Sequence, residues 1–312
     1  MTETGCVGGW RAITVGDDVL RAVVLPERGA ELHSLVHVPT ETELLFQAPW
    51  GLHPPSPERT SFLDRYAGGW QELFPSTNDQ TTYRCETIPF HGEVALLPWE
   101  CEQRGGSLVC RVRCERTPFL LERTLRFDGG LVVDECVTNE GGDAAHFTWG
   151  HHLVLGPPFL EPGSRLEAPA RTIVTIPELW EDTARLEPGQ RSAWPHARLR
   201  EGGTVDLRTI PGPEAASHDD VYLTDLEDGI VSVESSRLRV SLRFDHRLFR
   251  WLISWQPYGG ALAQPLAGSY ALGIEPWVSR LPLGEAVEAG EAIELAPGAS
   301  RETTLRLEVD EI

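Results

Sequence analysis

Polar and apolar side chains alternate along nearly the whole chain, which is the pattern of half-buried β-strands. Residues 237–244 alternate throughout, and residues 304–309 repeat the pattern. Consecutive strands are predicted for the segments 108–113, 121–127 and 131–137. The turn Asp128-Gly129-Gly130 predicts a hairpin between the last two of these strands.

No long window of the sequence holds an apolar stripe with the 3.6-residue period of a helix. The 30 glycines and 24 prolines are spread over the whole chain, where they interrupt helices and supply turns. We find no internal repeat and no low-complexity linker. The sequence therefore predicts one large, antiparallel, all-β domain of sandwich type that spans residues 1–312, since such domains reach this length without dividing.

All 27 basic residues are arginines, and this absence of lysine excludes several chemistries. No Schiff base can form on a lysine amine, which removes pyridoxal phosphate enzymes and lysine-type aldolases. The phosphate-binding loop of P-loop enzymes also requires a lysine. Because the guanidinium group stays protonated, arginine is not a plausible base, and proton transfer falls to His, Asp, Glu, Tyr or Cys.

The formal net charge of −20 argues against nucleic acid and against anionic membrane surfaces as partners. No apolar run approaches the length of a membrane span, and the N-terminal residues lack the basic start and apolar core of a signal peptide. We therefore expect a cytoplasmic protein without a membrane partner, as a monomer or a homodimer, that acts on a small molecule.

Six cysteines could form disulfides, but the predicted cytoplasmic location favours free thiols. Cys110 and Cys114 have a spacing that zinc sites use. Strand alternation, however, places both on one face beside Val112, where cysteines pack as small apolar side chains.

Four segments combine polar and aromatic residues in ways that strand packing alone does not require; they are 67–75, 89–93, 147–156 and 269–277. In the first, Gly68 and Gly69 precede Trp70-Gln71-Glu72, which indicates either a backbone approach to a ligand or a tight turn under a packed Trp. In the second, His91 lies between Phe90 and Gly92 and faces either a cleft or solvent.

The third segment contains the adjacent residues His151 and His152, which point to opposite faces if the segment is a strand. They are therefore unsuited to bind one metal ion together, and we expect one to face a cleft while the other packs or caps. In the fourth segment, Glu275 lies inside an apolar run. Burial there costs free energy and raises the pKa of the carboxyl group towards that of a working base, unless a buried Arg pairs with it.

A supporting segment, residues 217–223, contains His218 and Asp219, which could bind several hydroxyls. Three of the ten tryptophans, Trp70, Trp149 and Trp277, lie within the polar segments. Sugar rings present C–H faces that pack well on aromatic surfaces, although most of the tryptophans are expected in the core.

The order of these segments resembles that of the aldose 1-epimerases, or mutarotases, of the galactose mutarotase-like superfamily. The resemblance spans nearly the whole chain and rests on the segments Phe90-His91-Gly92, Pro98-Trp99-Glu100, Thr138-Asn139-Glu140, Trp149-Gly150-His151-His152, residues 218–223, Ile274-Glu275-Pro276-Trp277 and residues 295–304. It implies a large antiparallel β-sandwich, the supersandwich of that superfamily, with a sugar bound in a cleft on one sheet. It also implies chemistry without a metal ion or an organic cofactor.

The resemblance also implies roles for individual residues. Glu275 matches the general base of the family and His152 the general acid. His91 matches a second, substrate-orienting histidine, and Asp219 matches the aspartate that binds ring hydroxyls. We also expect the sugar to contact a further set of residues, namely His151, Trp277 and Gln71.

The sequence departs from the family pattern at two places. Known members carry an Arg in the segment after the paired glycines, whereas this chain reads Trp-Gln-Glu-Leu-Phe-Pro there. Arg65 lies just before the segment and could replace that Arg. Residues 153–155 also lack the usual aromatic side chain.

Three other functions remain open from the sequence. A non-catalytic carbohydrate-binding protein would use the same aromatic cleft. A sugar-phosphate epimerase would need an Arg cluster at the cleft. A metal-dependent β-barrel enzyme could use the set His91, His151, His152 and Asp219, but the sequence lacks the close spacing of typical local metal motifs.

Overall fold

The computed structural model describes residues 2–312, which form mainly β-strands. The strands are β1 (Thr2–Val7), β2 (Trp10–Gly16), β3 (Leu20–Leu25), β4 (Glu31–His37), β5 (Thr42–Glu43), β6 (Trp70–Leu73), β7 (Thr81–Tyr83), β8 (Glu86–Ile88), β9 (Glu100–Arg104), β10 (Ser107–Arg113), β11 (Phe119–Phe127), β12 (Leu131–Asn139), β13 (Ala145–Phe147), β14 (Gly150–Leu155), β15 (Arg165–Glu167), β16 (Thr172–Thr175), β17 (Arg191–Ala193), β18 (His196–Arg198), β19 (Thr204–Asp206), β20 (Ser217–Thr224), β21 (Ile230–Glu234), β22 (Leu238–Arg243), β23 (Trp251–Tyr258), β24 (Leu272–Gly273), β25 (Glu275–Trp277), β26 (Ile293–Leu295) and β27 (Ser300–Glu311).

Two large antiparallel sheets dominate the fold. The larger sheet has 13 strands, of which eleven follow the order β1-β2-β3-β4-β6-β14-β25-β23-β20-β16-β17, while β24 pairs with β14 and β5 pairs with β4. The smaller sheet has eight strands in the order β15-β21-β22-β27-β12-β11-β10-β9. Three two-stranded sheets, β13-β26, β18-β19 and β7-β8, complete the set.

The helices are short. They are α1 (Phe62–Arg65), α2 (Leu283–Glu288) and two 3₁₀ turns at Val38–Thr40 and Pro213–Ala215. Within residues 2–312, no helix combines the length and the apolar character that a membrane crossing requires. The cytoplasmic location remains a prediction.

The predicted strands and hairpin are confirmed. Strands β11 and β12 pair antiparallel up to the Phe127–Leu131 pair, so the Asp-Gly-Gly segment forms the hairpin turn between them. Strands β22 and β27 contain the alternating runs at 237–244 and 304–309 and lie side by side in the smaller sheet. Local alternation was sufficient here, because each of these strands buries one face only.

The main core lies between the two large sheets. Trp70, Trp149 and Leu153 reach it from the larger sheet, while Leu121 and Val133 reach it from the smaller one, and all are almost fully buried. Two sheets packed face to face in this way form a sandwich, as the sequence predicts. A second apolar cluster lies on the other face of the larger sheet and includes Phe62, Tyr66, Trp255 and Trp277.

The expectation of six free thiols is wrong for one pair. Cys101 and Cys110 are opposite each other in the register of β9 and β10 and are joined by a disulfide. The pairing depends on the register of two neighbouring strands, which cysteine spacing alone does not determine. Cys114 is free, and so are Cys6, Cys85 and Cys136.

Candidate active site

A cleft lies on the face of the larger sheet that points away from the main core. Its floor is formed by β14, β25, β23 and β20, which are neighbours in the sheet. Ile253 pairs with Glu275, and Asp220 pairs with Trp255. Directly paired residues of antiparallel strands share a face, so these side chains all point into the cleft. Loops from other parts of the chain partly cover them and leave a cleft of about 580 Å³, a volume that includes space open to solvent.

Glu275 lies at the floor of this cleft with 2% of its surface exposed. A Cβ atom on Gly273 would collide with the Glu275 carboxylate, so the missing side chain there makes room for it. Its Oε1 atom accepts no hydrogen bond. Burial raises the pKa of Glu275 well above its usual value, and the nearby charge of Asp220 raises it further.

His152 faces Glu275 across the floor, with 3.8 Å between its Nε2 atom and the Glu275 Oε1 atom. Phe62 and Tyr66 pack edge-on against its imidazole, at centroid distances of 5.4 and 5.3 Å. The Nδ1 atom has no hydrogen-bond partner. Burial lowers the pKa of His152 to about 3, so the ring is neutral near pH 7.

His91 lies beside His152, with 5.5 Å between the two ring centroids. Its backbone adopts a positive φ of 63°, and its N–H donates to the Asn78 carbonyl at 2.8 Å. Its ring stacks on Phe90 at 3.7 Å between centroids, and its Nδ1 atom has no partner. Burial and the neighbouring His152 lower the pKa of His91 well below its usual value.

Of the predicted site residues, the structure brings together a group of four in this cleft: Glu275, His152, His91 and Trp277. Several residues that sequence reasoning did not assign to the site line the cleft with them: Tyr66, Asn78, Trp180, Asp220, Tyr222 and Trp255. Among them, Asp220 supplies a second carboxylate, and burial raises its pKa to about 6.

The expectation for Asp219 needs correction, because its side chain points away from the cleft. Asp219 accepts hydrogen bonds from the Arg185 and Leu186 backbone N–H groups and pairs with the Arg185 side chain at 2.7 Å. The neighbouring Asp220 faces the cleft instead. Neighbouring residues of a strand point to opposite faces of the sheet. The register of β20 would therefore have identified Asp220 as the residue that faces the cleft.

Arg65 and Gln71 also lie outside the cleft. They line a smaller cavity of about 240 Å³ together with Arg28 and Glu31, and Phe62 and Tyr66 form its common wall with the cleft. Arg65 is held by the carbonyls of Arg59 and Leu96 at 2.8 and 2.7 Å. Arg65 therefore does not replace the missing family arginine, and no arginine lines the cleft within residues 2–312.

The paired glycines are required by the fold. Gly68 and Gly69 both have positive φ values, 86° and 91°. A Cβ atom on Gly68 would collide with the Phe46 carbonyl, and one on Gly69 with the Leu32 carbonyl at 2.6 Å. The tight turn under a packed Trp, one of the two interpretations of this segment, is the correct one.

His151 points the opposite way from His152, as strand alternation predicts, and lies between the two large sheets. It belongs to a buried polar group that we call the core cluster, which consists of Glu72, Arg123, Glu135 and His151. All four side chains are at most 3% exposed. His151 therefore does not reach the cleft, which corrects its assignment as a sugar contact.

The core cluster contains two carboxyl groups and one guanidinium. Burial and the neighbouring Glu135 raise the pKa of Glu72 to about 8, and burial raises the pKa of Glu135 to about 7. The two carboxyl groups lie within hydrogen-bond reach of each other, and loss of one of their two protons near pH 7 leaves a single negative charge. The Arg123 guanidinium, 3.5 Å from Glu72, balances that charge.

Three residues of the core cluster could approach a metal ion, since ligand atoms of Glu72, Glu135 and His151 lie within 4.8 Å of one another. The Trp70 indole N–H donates to His151 Nδ1 at 3.3 Å, which favours the tautomer with the ring proton on Nε2, and a metal ion at Nε2 would have to displace that proton. Arg123 also supplies the positive charge already. The set His91, His151, His152 and Asp219 does not converge, because two of its members face the core.

Comparisons with known proteins agree with this fold. A family model described as a domain of unknown function (DUF4432) matches residues 8–309. No curated protein matches the sequence.

Solved structures match over nearly the whole chain. A galactose mutarotase-like protein from Lactobacillus casei ATCC 334 is 18% identical, with 96% of this chain and 100% of that chain covered and a TM-score of 0.67. A provisionally named aldose 1-epimerase from Klebsiella pneumoniae is 17% identical, with 99% and 82% covered and a TM-score of 0.72. The Slr1438 protein from Synechocystis is 18% identical, with 96% of both chains covered and a TM-score of 0.70. The chain therefore has the galactose mutarotase-like fold.

Proposed function

The chain belongs to the DUF4432 family, and we propose that it is an aldose 1-epimerase-like enzyme, an isomerase that interconverts the α and β anomers of a sugar. One observation carries the proposal: Glu275 and His152 face each other at 3.8 Å on the floor of a buried cleft. Each has an atom without a hydrogen-bond partner, as groups that await substrate oxygens would have.

The proposed reaction needs two proton transfers at neighbouring atoms. Ring opening removes the proton from the C1 hydroxyl and adds a proton to the ring oxygen, and both oxygens are bonded to C1. We assign the first transfer to Glu275 as base and the second to His152 as acid. The free aldehyde then rotates about the C1–C2 bond and closes on its other face with the two roles reversed.

The pair must hold one proton in total. Burial favours the neutral form of both groups, so before a sugar binds the proton lies on Glu275. Sugar hydroxyls that donate hydrogen bonds to the carboxylate stabilise its charged form. Binding therefore favours transfer of the proton to His152, which prepares Glu275 as the base and His152 as the acid.

The other cleft residues support binding of a sugar. Asp220 and His91 lie close to the pair and can bind ring hydroxyls, and Asp220 takes the role that the resemblance implied for its neighbour. Trp277 and Trp255 offer aromatic surface to the C–H faces of the ring. The chemistry as proposed uses only these side chains.

A second candidate function is a non-catalytic carbohydrate-binding protein with the same cleft. No arginine is among the described residues that line the cleft, which departs from the family pattern and favours this second function. The same observation speaks against a sugar-phosphate epimerase, whose substrate would need cationic partners for its phosphate group.

The experiment is an anomer-exchange screen by polarimetry and NMR over free hexoses, pentoses and phosphorylated sugars. We expect faster exchange with at least one neutral sugar. The Glu275→Gln variant should lose about 10²–10⁴-fold in rate, the usual contribution of one general acid or base. Glu302→Gln, which changes an exposed carboxylate on the smaller sheet, is the matched control and should retain the rate.

Circular dichroism of Glu275→Gln checks that the fold is intact. Binding of a sugar without any acceleration of its anomer exchange would establish the carbohydrate-binding function instead. Normal exchange by Glu275→Gln would contradict the residue assignment.

A further inference from the structure

Trp255 forms part of the cleft wall beside the proposed catalytic pair. Its indole lies 6.1 Å from the His152 imidazole and 6.1 Å from the Tyr66 ring, measured between ring centroids. A Cβ atom on Gly273 would collide with the Glu275 carboxylate and would also lie 3.0 Å from the Cβ atom of Trp255, so these two side chains border the same gap. The plane of the Trp255 ring therefore determines part of the surface that a bound sugar would meet.

Two hydrogen bonds link the Trp255 ring to Glu181 through His218. The indole N–H donates to His218 Nε2 at 2.7 Å. Because an indole nitrogen can only donate, this Nε2 atom carries no proton, and the ring proton lies on Nδ1. Nδ1 in turn donates to one carboxylate oxygen of Glu181 at 2.7 Å. The side chains of His218 and Glu181 are only 5% and 10% exposed, so water competes little for these bonds.

The second carboxylate oxygen of Glu181 connects two loops. It accepts the backbone N–H groups of Leu262 and Ala263 at 2.9 and 2.7 Å, which lie between β23 and β24, whereas Glu181 lies between β16 and β17. Burial opposes the ionisation of Glu181, but its hydrogen bonds lower its pKa below the usual value, so the group is charged near pH 7. One carboxylate therefore holds both loops and the His218 ring.

A carboxylate is required at this position because every one of these partners is a donor. A glutamine offers one acceptor oxygen and one donor NH₂ group. If its oxygen accepted the His218 Nδ1–H, its NH₂ group would face the N–H groups of Leu262 and Ala263. If its oxygen faced the loop, its NH₂ group would donate to Nδ1 and move the ring proton to Nε2, where it would oppose the Trp255 N–H. Glu181 thus determines the tautomer of His218.

From this geometry we propose that Glu181 and His218 are positioning residues that act through Trp255 on the binding of a sugar in the cleft. Glu181 fixes the tautomer of His218, and His218 Nε2 fixes the plane of the Trp255 ring. This inference rests on the proposed function for the identity of the ligand. Neither residue lines the cleft, so their contribution is to prepare an aromatic surface before the sugar binds, which lowers the cost of binding.

The isosteric variant Glu181→Gln tests the proposal. We expect it to raise KM about tenfold for the sugar that wild type exchanges fastest, which corresponds to about 1.4 kcal/mol, as expected for a buried donor left without its acceptor. We expect kcat to change by less than about twofold, because contact with Trp255 stabilises the bound sugar and the transition state alike. Glu178→Gln is the matched control, since Glu178 is an exposed carboxylate on the same loop, and should leave both constants unchanged. An unchanged KM in Glu181→Gln would overturn the proposal.

A double-mutant cycle tests whether Glu181 acts through Trp255. Trp255→Phe keeps an aromatic ring and removes the indole N–H, so the tautomer of His218 no longer affects the ring. In this background, Glu181→Gln should raise KM by less than about threefold. An equal, tenfold rise in both backgrounds would overturn the proposal, because Glu181 would then act through the two loops alone.

NMR of the indole N–H groups separates this inference from the proposed function, because it requires neither a sugar nor turnover. The resonance that Trp255→Phe removes belongs to Trp255, and its hydrogen bond to an imidazole nitrogen should shift it downfield. It should move upfield in Glu181→Gln and stay in place in Glu178→Gln. An unmoved resonance in Glu181→Gln would overturn the inference whatever the rate of anomer exchange. A moved resonance together with weaker sugar binding by calorimetry, without any acceleration of anomer exchange, would support the inference and reject the epimerase activity.

Discussion

The two faces of β14 hold two imidazole–carboxyl pairs in adjacent positions of the sequence. His152 lies 3.8 Å from Glu275 in the cleft, and His151 lies 3.3 Å from Glu135 in the core cluster. Burial lowers the pKa of both histidines and raises the pKa of both carboxyl groups. Burial and the direction of a pKa shift therefore do not distinguish the two pairs.

Access and charge balance do distinguish them. The cleft pair borders space that is open to solvent, and no arginine among the described lining residues balances its carboxyl groups, Glu275 and Asp220. The side chains of the core cluster are buried between the two sheets, and Arg123 balances the charge of its two carboxyl groups. A buried titratable group beside a cavity is suited to catalysis when no opposite charge neutralises it. A group whose charge is neutralised and that solvent cannot reach is suited to a structural role.

The largest expected effect comes from replacing each histidine of this adjacent pair. His152→Ala should lose about 10²–10⁴-fold in the rate of anomer exchange with little change in the free energy of unfolding. His151→Ala should lose about 2–4 kcal/mol of that free energy, because it leaves a cavity and an unpaired Trp70 N–H, with little change in rate. Polarimetry and urea denaturation measure the two quantities on the same samples.

The adjacent pair of variants is its own control, since both changes remove an imidazole from the same strand. Equal losses of rate in the two variants would contradict the assignment of a catalytic role to one face of β14 and a structural role to the other.

The next effect concerns the charge balance of the core cluster. Arg123→Met should lower the free energy of unfolding by about 3–5 kcal/mol, because it leaves two buried carboxyl groups without their cation. Arg126→Met is the matched control on the same strand, since Arg126 forms a partly exposed ion pair with Asp134 and should lose only about 0–1 kcal/mol. Similar losses in the two variants would contradict the buried charge balance.

The strand pattern was predictable because it is local. The hairpin of β11 and β12 and the opposite directions of His151 and His152 follow from alternation within a few residues. The burial of Glu275 was predictable because it lies inside an apolar segment of the sequence.

What could not be predicted depends on register and on contacts between distant segments. Asp219 and Asp220 are neighbours with the same chemistry, and only the pairing of β20 with β23 determines which one faces the cleft. Arg65 is close in sequence to a cleft residue, Tyr66, yet lies behind the wall that Tyr66 forms. The loop that carries Trp180 is held beside the cleft by the contact of Glu181 with His218, a contact between segments 37 residues apart that no local pattern encodes.

The last expected effect is a pH dependence of stability that the core cluster should impose. The pKa of Glu72 is raised from 4.5 to about 8 and that of Glu135 to about 7, so the folded state binds more protons than the unfolded state between these values and 4.5. The stabilisation is therefore fully present below pH 4.5 and is lost as the pH rises through about 7 to 8. Carboxylates with lowered pKa, such as Asp206 at about 2, change charge below this window.

Urea denaturation from pH 6.5 to pH 8, above the ordinary pKa of histidine, should accordingly show a decline of about 1.4 kcal/mol per pH unit for each proton that the folded state holds in excess. Glu135→Gln removes one of the two carboxyl groups and should flatten the decline. Glu275 has a raised pKa as well and contributes with the same sign, so Glu275→Gln should remove its own part and leave the part from the core cluster. If Glu275→Gln alone abolished the decline, the cleft and not the core cluster would hold the pH-dependent stability, and the comparison between the two faces of β14 would be reversed.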